Sequence, residues 1–376
     1  MHVPFLDLKA QYRQIRPDVE RAVRRVFESQ RFVLGKTVET FERRMARLAG
    51  TRHAVGVASG SDALYMALAS AGVGAGDRVL VPAFSFFATA GAVSRLGAEP
   101  VFVDIGPRTF NLDGVQLLRA VASMAPEELV RVKAVIPVHL FGQCADMRPV
   151  LEVAQRFRWA VVEDAAQAVG ARHRGRPAGS LGDAGCFSFY PTKNLGGAGD
   201  GGAVTTDSAR LAKHLREMRD HGQVALYRHR FVGLNSRLDA LQAAVLLVKA
   251  RHLEKWNRAR RALARRYDAR LADVSEIETP VCAQSNTHTY HQYTVRAKRR
   301  NALREHLARK GVDTQVYYPV PLPHQPCYQE AGRGREKFPE SERASREVLA
   351  LPVYPGLSRR KQDYVIRCLR TFYGRK

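Results

Sequence analysis

Short runs that are apolar on both faces alternate with helical segments through the first half of this chain, and that alternation restricts the fold more than any other feature. Ala54-Val55-Gly56-Val57 is followed by a helical stretch from Asp62 to Ala71, rich in Ala, Leu and Met. Arg78-Val79-Leu80-Val81-Pro82 is followed by a second, from Ala88 to Leu96. Pro100-Val101-Phe102-Val103-Asp104, Val132 to Val138 and Trp159 to Glu163 continue the series. A strand with no polar face needs cover on both sides, and strands that alternate with helices pair in parallel. The expectation is an α/β protein whose mostly parallel, mixed sheet lies between two layers of helix. Gly202-Ala203-Val204-Thr205-Thr206 is expected to pair as a hairpin with Cys186 to Phe189.

After Ser208 helical spacing takes over, from Ala209 to Asp220 and again from Leu238 to Tyr267. Beyond Thr279 the pattern changes once more. A strand is expected near His291 to Arg296, a helix from Ala302 to Lys310, and then Thr314-Gln315-Val316-Tyr317-Tyr318. At 376 residues the chain is too long for one small core. The expected division is a large domain over 1–250, N-terminal arm included, and a smaller α+β domain over 251–376. The Gly/Arg-rich stretch from Glu330 to Glu336 reads as a surface loop.

The formal net charge is +24. Such an excess suits nucleic acid or a strongly anionic small substrate. Acidic residues are mixed among the arginines, so most of the charge is expected on solvated faces and nucleic-acid binding is not expected. The densest patch, Arg258 to Arg270, carries Leu263 and Tyr267 at helical spacing and reads as an amphipathic helix with a basic outer side. No apolar run reaches the length of a membrane span, and no secretory signal is visible at the N-terminus. The five cysteines have no paired spacing, which fits reduced thiols in a cytoplasmic protein and no metal site.

The chemistry concentrates around Lys193. It follows Ser188-Phe189-Tyr190-Pro191-Thr192 and precedes Asn194-Leu195-Gly196-Gly197, with Ala198-Gly199-Asp200-Gly201-Gly202 beyond. A lysine between a strand and a glycine-rich loop is held by rigid backbone while its amine faces a cleft. Desolvation then lowers its pKa and suits it to Schiff-base chemistry. About thirty residues earlier, Val161-Val162-Glu163-Asp164 is an apolar strand that ends in a carboxylate. A Schiff-base lysine and a carboxylate are the two groups pyridoxal phosphate needs, one for its carbonyl carbon and one for its ring nitrogen. The plain alternative for Asp164 is a helix N-cap, a role Asp also serves well. Gly60 and Ser61 open a helix whose free N–H groups suit a phosphate, although Ser-Gly-Ser before a helix is common.

These motifs, from Pro4-Phe5-Leu6-Asp7-Leu8 to Leu351-Pro352-Val353-Tyr354-Pro355, resemble the DegT/DnrJ/EryC1/StrS family of nucleotide-sugar aminotransferases, and the block Ser188 to Gly202 is the most specific part. The resemblance implies the large-domain fold of the aspartate aminotransferase superfamily and pyridoxal 5'-phosphate as cofactor. It makes Lys193 the cofactor-bonded lysine and proton carrier, and Asp164 the partner of the ring nitrogen. Gln167 becomes a contact of the cofactor's phenolic oxygen, against the plain alternative of a structural amide. Gly60, Ser61 and Ser188 become the phosphate cup. Phe86 becomes the ring that stacks on the cofactor, with Phe84 and Phe87 left to the core. Asn235 is implied to reach the phosphate from a neighbouring subunit, which makes the protein an obligate homodimer with shared active sites. Arg237, Tyr317, Tyr318 and His324 are the expected substrate contacts. Relatives often carry His-Tyr where this chain has Tyr317-Tyr318, and a lone histidine such as His324 is more often structural.

The implied reaction moves the amino group of L-glutamate, released as 2-oxoglutarate, onto a keto sugar linked to a nucleoside diphosphate. Lys-Asn-Leu-Gly followed by Gly-Asp-Gly-Gly resembles enzymes that act at C3, with C4 amination as the alternative. Related sugar dehydratases replace the lysine with histidine, so Lys193 argues against dehydration. A non-catalytic DNA-binding regulator is the reading from another class, and the intact set of cofactor residues argues against it.

Overall fold

The computed structural model describes residues 1–330 and 336–375. Most of the Glu330–Glu336 stretch lies outside the described residues. A seven-stranded sheet forms the centre. Its strands are β1 (His53–Val57), β2 (Arg78–Pro82), β3 (Glu99–Val103), β4 (Val132–Val135), β5 (Ala160–Asp164), β6 (Ala184–Ser188) and β7 (Gly202–Thr206). Their order is β1-β7-β6-β5-β4-β2-β3. Only β7 runs against the rest, paired antiparallel to both β1 and β6. The hairpin expected from Cys186 to Thr206 is therefore present, and the sheet is mixed and mostly parallel.

Both faces are covered, as the two-sided apolar strands require. One face carries α1 (Leu8–Ser29), α2 (Gly35–Ala49) and α5 (Ala240–Ala250), with a core that includes Phe41, Met45, Leu80, Phe187, Phe189 and Leu246. The other carries α3 (Gly60–Ser70) and α4 (Ala88–Arg95), over Val55, Val57, Leu64, Met66, Val81 and Val162. Leu238 to Tyr267, read from sequence as one helical stretch, is two helices. The chain turns at Arg251 and His252 between α5 and α6 (Leu253–Leu271).

A second body has its own core around Tyr267, Tyr293, Val295, Leu303, Leu351 and Leu369. It contains α6, a helix at Arg300–Arg309, another at Arg359–Phe372, and a three-stranded antiparallel sheet with Tyr293–Ala297 at its centre. The first residues of the N-terminal arm pack here. Val3 bridges to Val312 and lies in this core, although the sequence places the arm with residues 1–250. The basic outer side expected for Arg258 to Arg270 needs one correction. Arg260 points inward, and its Nη1 donates to the carbonyls of Tyr290 (3.1 Å), His291 (3.2 Å) and Val353 (2.7 Å). Three carbonyl acceptors make the burial of that guanidinium tolerable.

Candidate active site

The topology brings the chemistry-bearing segments to one end of the sheet. β5 ends at Asp164 and β6 at Ser188, side by side and parallel, with Asp164 opposite Cys186. β1 ends at Val57, so Ser59 and the start of α3 emerge at the same end. The antiparallel β7 begins there, with Gly202 facing Val57 on one side and Ser188 on the other. A Cβ on Gly202 would lie 2.3 Å from the Ser59 carbonyl oxygen. Only glycine lets β7 pass so close to the helix start.

The segment between β6 and β7 is tied down throughout. Phe189 donates to the Gly201 carbonyl and Gly197 to the Phe189 carbonyl, both at 2.7 Å. Lys249 Nζ reaches the Gly196 carbonyl at 2.6 Å, and Gln242 Oε1 accepts from the Ala198 amide at 2.7 Å. Lys193 thus hangs from a fixed backbone into a cavity of about 660 Å³. Burial pushes its ammonium down from 10.5 to about 8, and the Asp164 charge partly opposes the shift. Asp164 is buried at 5% exposure. Its Oδ2 accepts from Thr89 Oγ1 at 2.8 Å and its Oδ1 from the Ala166 amide at 3.2 Å.

Other walls of the cavity carry Gly60, Ser61, Phe86, Gln167, Ser188, Tyr317 and Tyr318. At the start of α3, Ser59 Oγ accepts the Asp62 amide. A Cβ on Gly60 would meet Ser188 Cβ at 2.6 Å, so the helix start and the Ser188 hydroxyl share one small recess. Gln167 Oε1 accepts the Phe141 amide at 2.8 Å and its Nε2 donates to the Tyr318 hydroxyl at 3.0 Å, which leaves one amide proton for a ligand. Of the three neighbouring phenylalanines, Phe86 lines the cavity and is 55% exposed. Phe84 is core, against Phe110 and Tyr318. Phe87, expected in the core, is 44% exposed and packs on Tyr328 instead.

Three expected residues lie elsewhere. Asn235 is exposed and Arg237 is bound to Asp220 at 2.8 Å; neither lines this cavity. They follow a hairpin (Gln223–Ala225 with Arg228–His229) whose turn residues Leu226 and Tyr227 are 76% and 85% exposed, with Val232 just beyond it 100% exposed. His324 faces Glu342 at 3.8 Å, also away from the cavity. Thr89 and His291 carry no local signal in the sequence, because their partners Asp164 and Asn194 lie 75 and 97 positions away. A larger concavity, about 1200 Å³, sits at the opposite end of the sheet around Arg52, Lys133, Arg158 and Arg210. It contains neither Lys193 nor Asp164, and the smaller cavity is the one with convergent chemistry.

The residues present fit a pyridine aldehyde bearing a phosphate. A buried carboxylate and a desolvated amine share the cavity, an exposed aromatic ring forms one wall, and a tight recess of N–H and O–H donors forms another. Fold and cleft together define a fold type I enzyme that uses pyridoxal phosphate. A family model described as the DegT/DnrJ/EryC1/StrS aminotransferase family matches residues 13–370, and the chain belongs to that family. It is 44% identical over 375 residues to a "Pleiotropic regulatory protein" of Geobacillus stearothermophilus, with 99% of each chain covered. It is 44% identical over 373 residues to a dTDP-3-amino-3,4,6-trideoxy-alpha-D-glucose transaminase of Streptomyces venezuelae, covering 99% of this chain and 97% of that one. The crystal structure of S. venezuelae DesV, solved in complex with a ketimine intermediate, superposes with a TM-score of 0.95 at 44% identity, over 100% of this chain and 99% of that one. Similar chains are solved in PLP and PMP forms. The protein is accordingly an aminotransferase, and its cofactor is pyridoxal phosphate. No helix among the described residues is long and apolar enough to cross a membrane.

Proposed function

We propose that this chain transfers an amino group from L-glutamate to C3 of a keto sugar linked to a nucleoside diphosphate, as a homodimer whose active sites each draw on both subunits. The observation that carries the reading is the placement of Lys193 and Asp164 in one cavity at the carboxyl ends of β5 and β6. When bound, the cofactor would supply a carbonyl carbon for the amino group and an electron sink for the breaking C–H bond. The Asp164 carboxylate holds a proton on the ring nitrogen. Gly60, Ser61 and Ser188 donate to the phosphate, Phe86 packs on the ring face, and Gln167 gives its remaining amide proton to the phenolic oxygen.

Burial favours the neutral form of the Lys193 amine, the form that takes a proton from one carbon and returns it to another. Tyr317 and Tyr318 face the sugar. Asn235 and Arg237, remote from their own cavity and beside a hairpin of exposed apolar side chains, serve the site of the second subunit. The amination position is supported by the relative named for a 3-amino sugar and by the Gly-Asp-Gly-Gly continuation after Lys193, and a lysine where dehydratases carry histidine supports transfer over dehydration.

The test is a panel of nucleotide-linked 3-keto and 4-keto sugars incubated with L-glutamate and cofactor, read by product mass and NMR. A 3-amino product is expected. Turnover confined to 4-keto sugars would move the assignment to C4. A protein with no visible cofactor band removable by borohydride, yet with tight DNA binding, would reject transamination altogether.

A further inference from the structure

The surroundings of His291 fix which of its nitrogens carries the proton. Asn257 Nδ2 donates to the Val169 carbonyl at 3.1 Å, so its Oδ1 is free to accept. Asn194 Nδ2 donates to that Oδ1 at 2.8 Å and to the Thr289 carbonyl at 3.2 Å. Backbone carbonyls can only accept, so Val169 and Thr289 set the direction of both amides. Asn194 therefore turns its Oδ1 toward His291 Nδ1, 3.2 Å away. An amide oxygen requires a donor, and the proton sits on Nδ1. Burial, followed by the charges of Lys193 and Arg260, holds the ring neutral well below the usual imidazole range. Nε2 is then an unprotonated acceptor, and no described residue hydrogen-bonds to it. The ring lines the same cavity as Lys193. Arg260, whose charge also acts on this ring, spends its Nη1 on three backbone carbonyls.

We propose that His291 is a positioning residue for Lys193: its Nε2 accepts one N–H of the lysine amine whenever that amine is not bonded to the cofactor, and so holds the nitrogen over the carbons between which it moves the proton. No covalent bond forms or breaks in this contact. The inference rests on Lys193 being the cofactor-bonded lysine.

The two ring nitrogens can be separated by substitution. His291→Asn keeps a donor at the Nδ1 position and so the tie to Asn194, but removes the group at Nε2. His291→Gln instead places an amide oxygen near Nε2. The direct measurement uses the holoenzyme with the cofactor in its PMP form, in which Lys193 is free. Labelling of Lys193 by a small amine-reactive reagent is followed against pH by peptide mass spectrometry. Losing an acceptor for the ammonium should lower the labelling midpoint of His291→Asn by about one pH unit. His291→Gln should recover part of the shift. In turnover, His291→Asn should lower kcat about tenfold through loss of orientation, with KM for L-glutamate little changed. The isotope effect with α-deuterated L-glutamate should rise, because the proton step becomes slower. An unchanged or raised midpoint in folded His291→Asn overturns the proposal. If Lys193→Ala itself turns over normally, the underlying assignment of Lys193 falls instead, so the two failures are distinguishable.

Discussion

Lys193 and Asp164 show how one residue's environment becomes its chemistry. The amine is an ordinary lysine by sequence; burial moves it to about 8 and the carboxylate limits the drop. The unfolded chain holds this proton up to its ordinary 10.5. Below the folded value both states are charged, and the native state carries the full cost of an ammonium in the cleft. As pH rises from about 8 to 10.5 that cost disappears, so stability of the cofactor-free protein gains over this window. The shift corresponds to at most about 3 kcal/mol, reduced by water in the open cleft. Lys193→Met should therefore raise stability of the cofactor-free protein by about 1–3 kcal/mol at pH 7 while abolishing transamination. Urea titrations at pH 7 and above pH 10.5 check this, and a gain that persists unchanged at high pH would contradict it.

At the level of elements, the site depends on a close crossing. β7 returns between β1 and β6, and Gly202 touches the Ser59 carbonyl just ahead of α3. Gly202→Ala would drive a methyl group against backbone that cannot rotate away. The expected loss is about 1–3 kcal/mol of stability, as for other overpacked sites. The displaced helix start should also weaken cofactor binding. A thermal melt and a cofactor titration by visible absorbance measure the two effects. Retained affinity in a destabilised variant would separate the crossing from the phosphate recess. The Gly-rich run after Lys193 is legible in sequence as a loop, but the reason for its final glycine is not. The Ser59 carbonyl meets it only after a separation of more than 140 positions is closed by sheet pairing.

For the whole molecule, the proposed sharing of active sites gives a complementation test. Lys193→Ala and Asn235→Asp should each be impaired alone, the second because a carboxylate would repel the cofactor phosphate. In a mixed dimer, the site built on the intact lysine meets the intact asparagine of its partner. Random exchange of equal amounts gives half mixed dimers with one good site each, so about a quarter of wild-type turnover should return. No recovery after verified subunit exchange would place Asn235 in its own chain's site.

The sequence by itself determined the kind of sheet and the hairpin after β6, and it singled out Lys193 and Asp164 as candidates. Strand periodicity, glycine clustering and a carboxylate at a strand end are local signals, and each survives without knowledge of the partner segment. The tertiary structure decided the rest. It turned Arg260 inward to three carbonyls, put Phe87 on the surface beside Tyr328, left Asn235 and His324 outside the cavity, and oriented His291 through two amides. The physical reason is the same in each case. Burial and hydrogen-bond direction belong to pairs of groups, and these pairs are joined only when distant parts of the chain pack together.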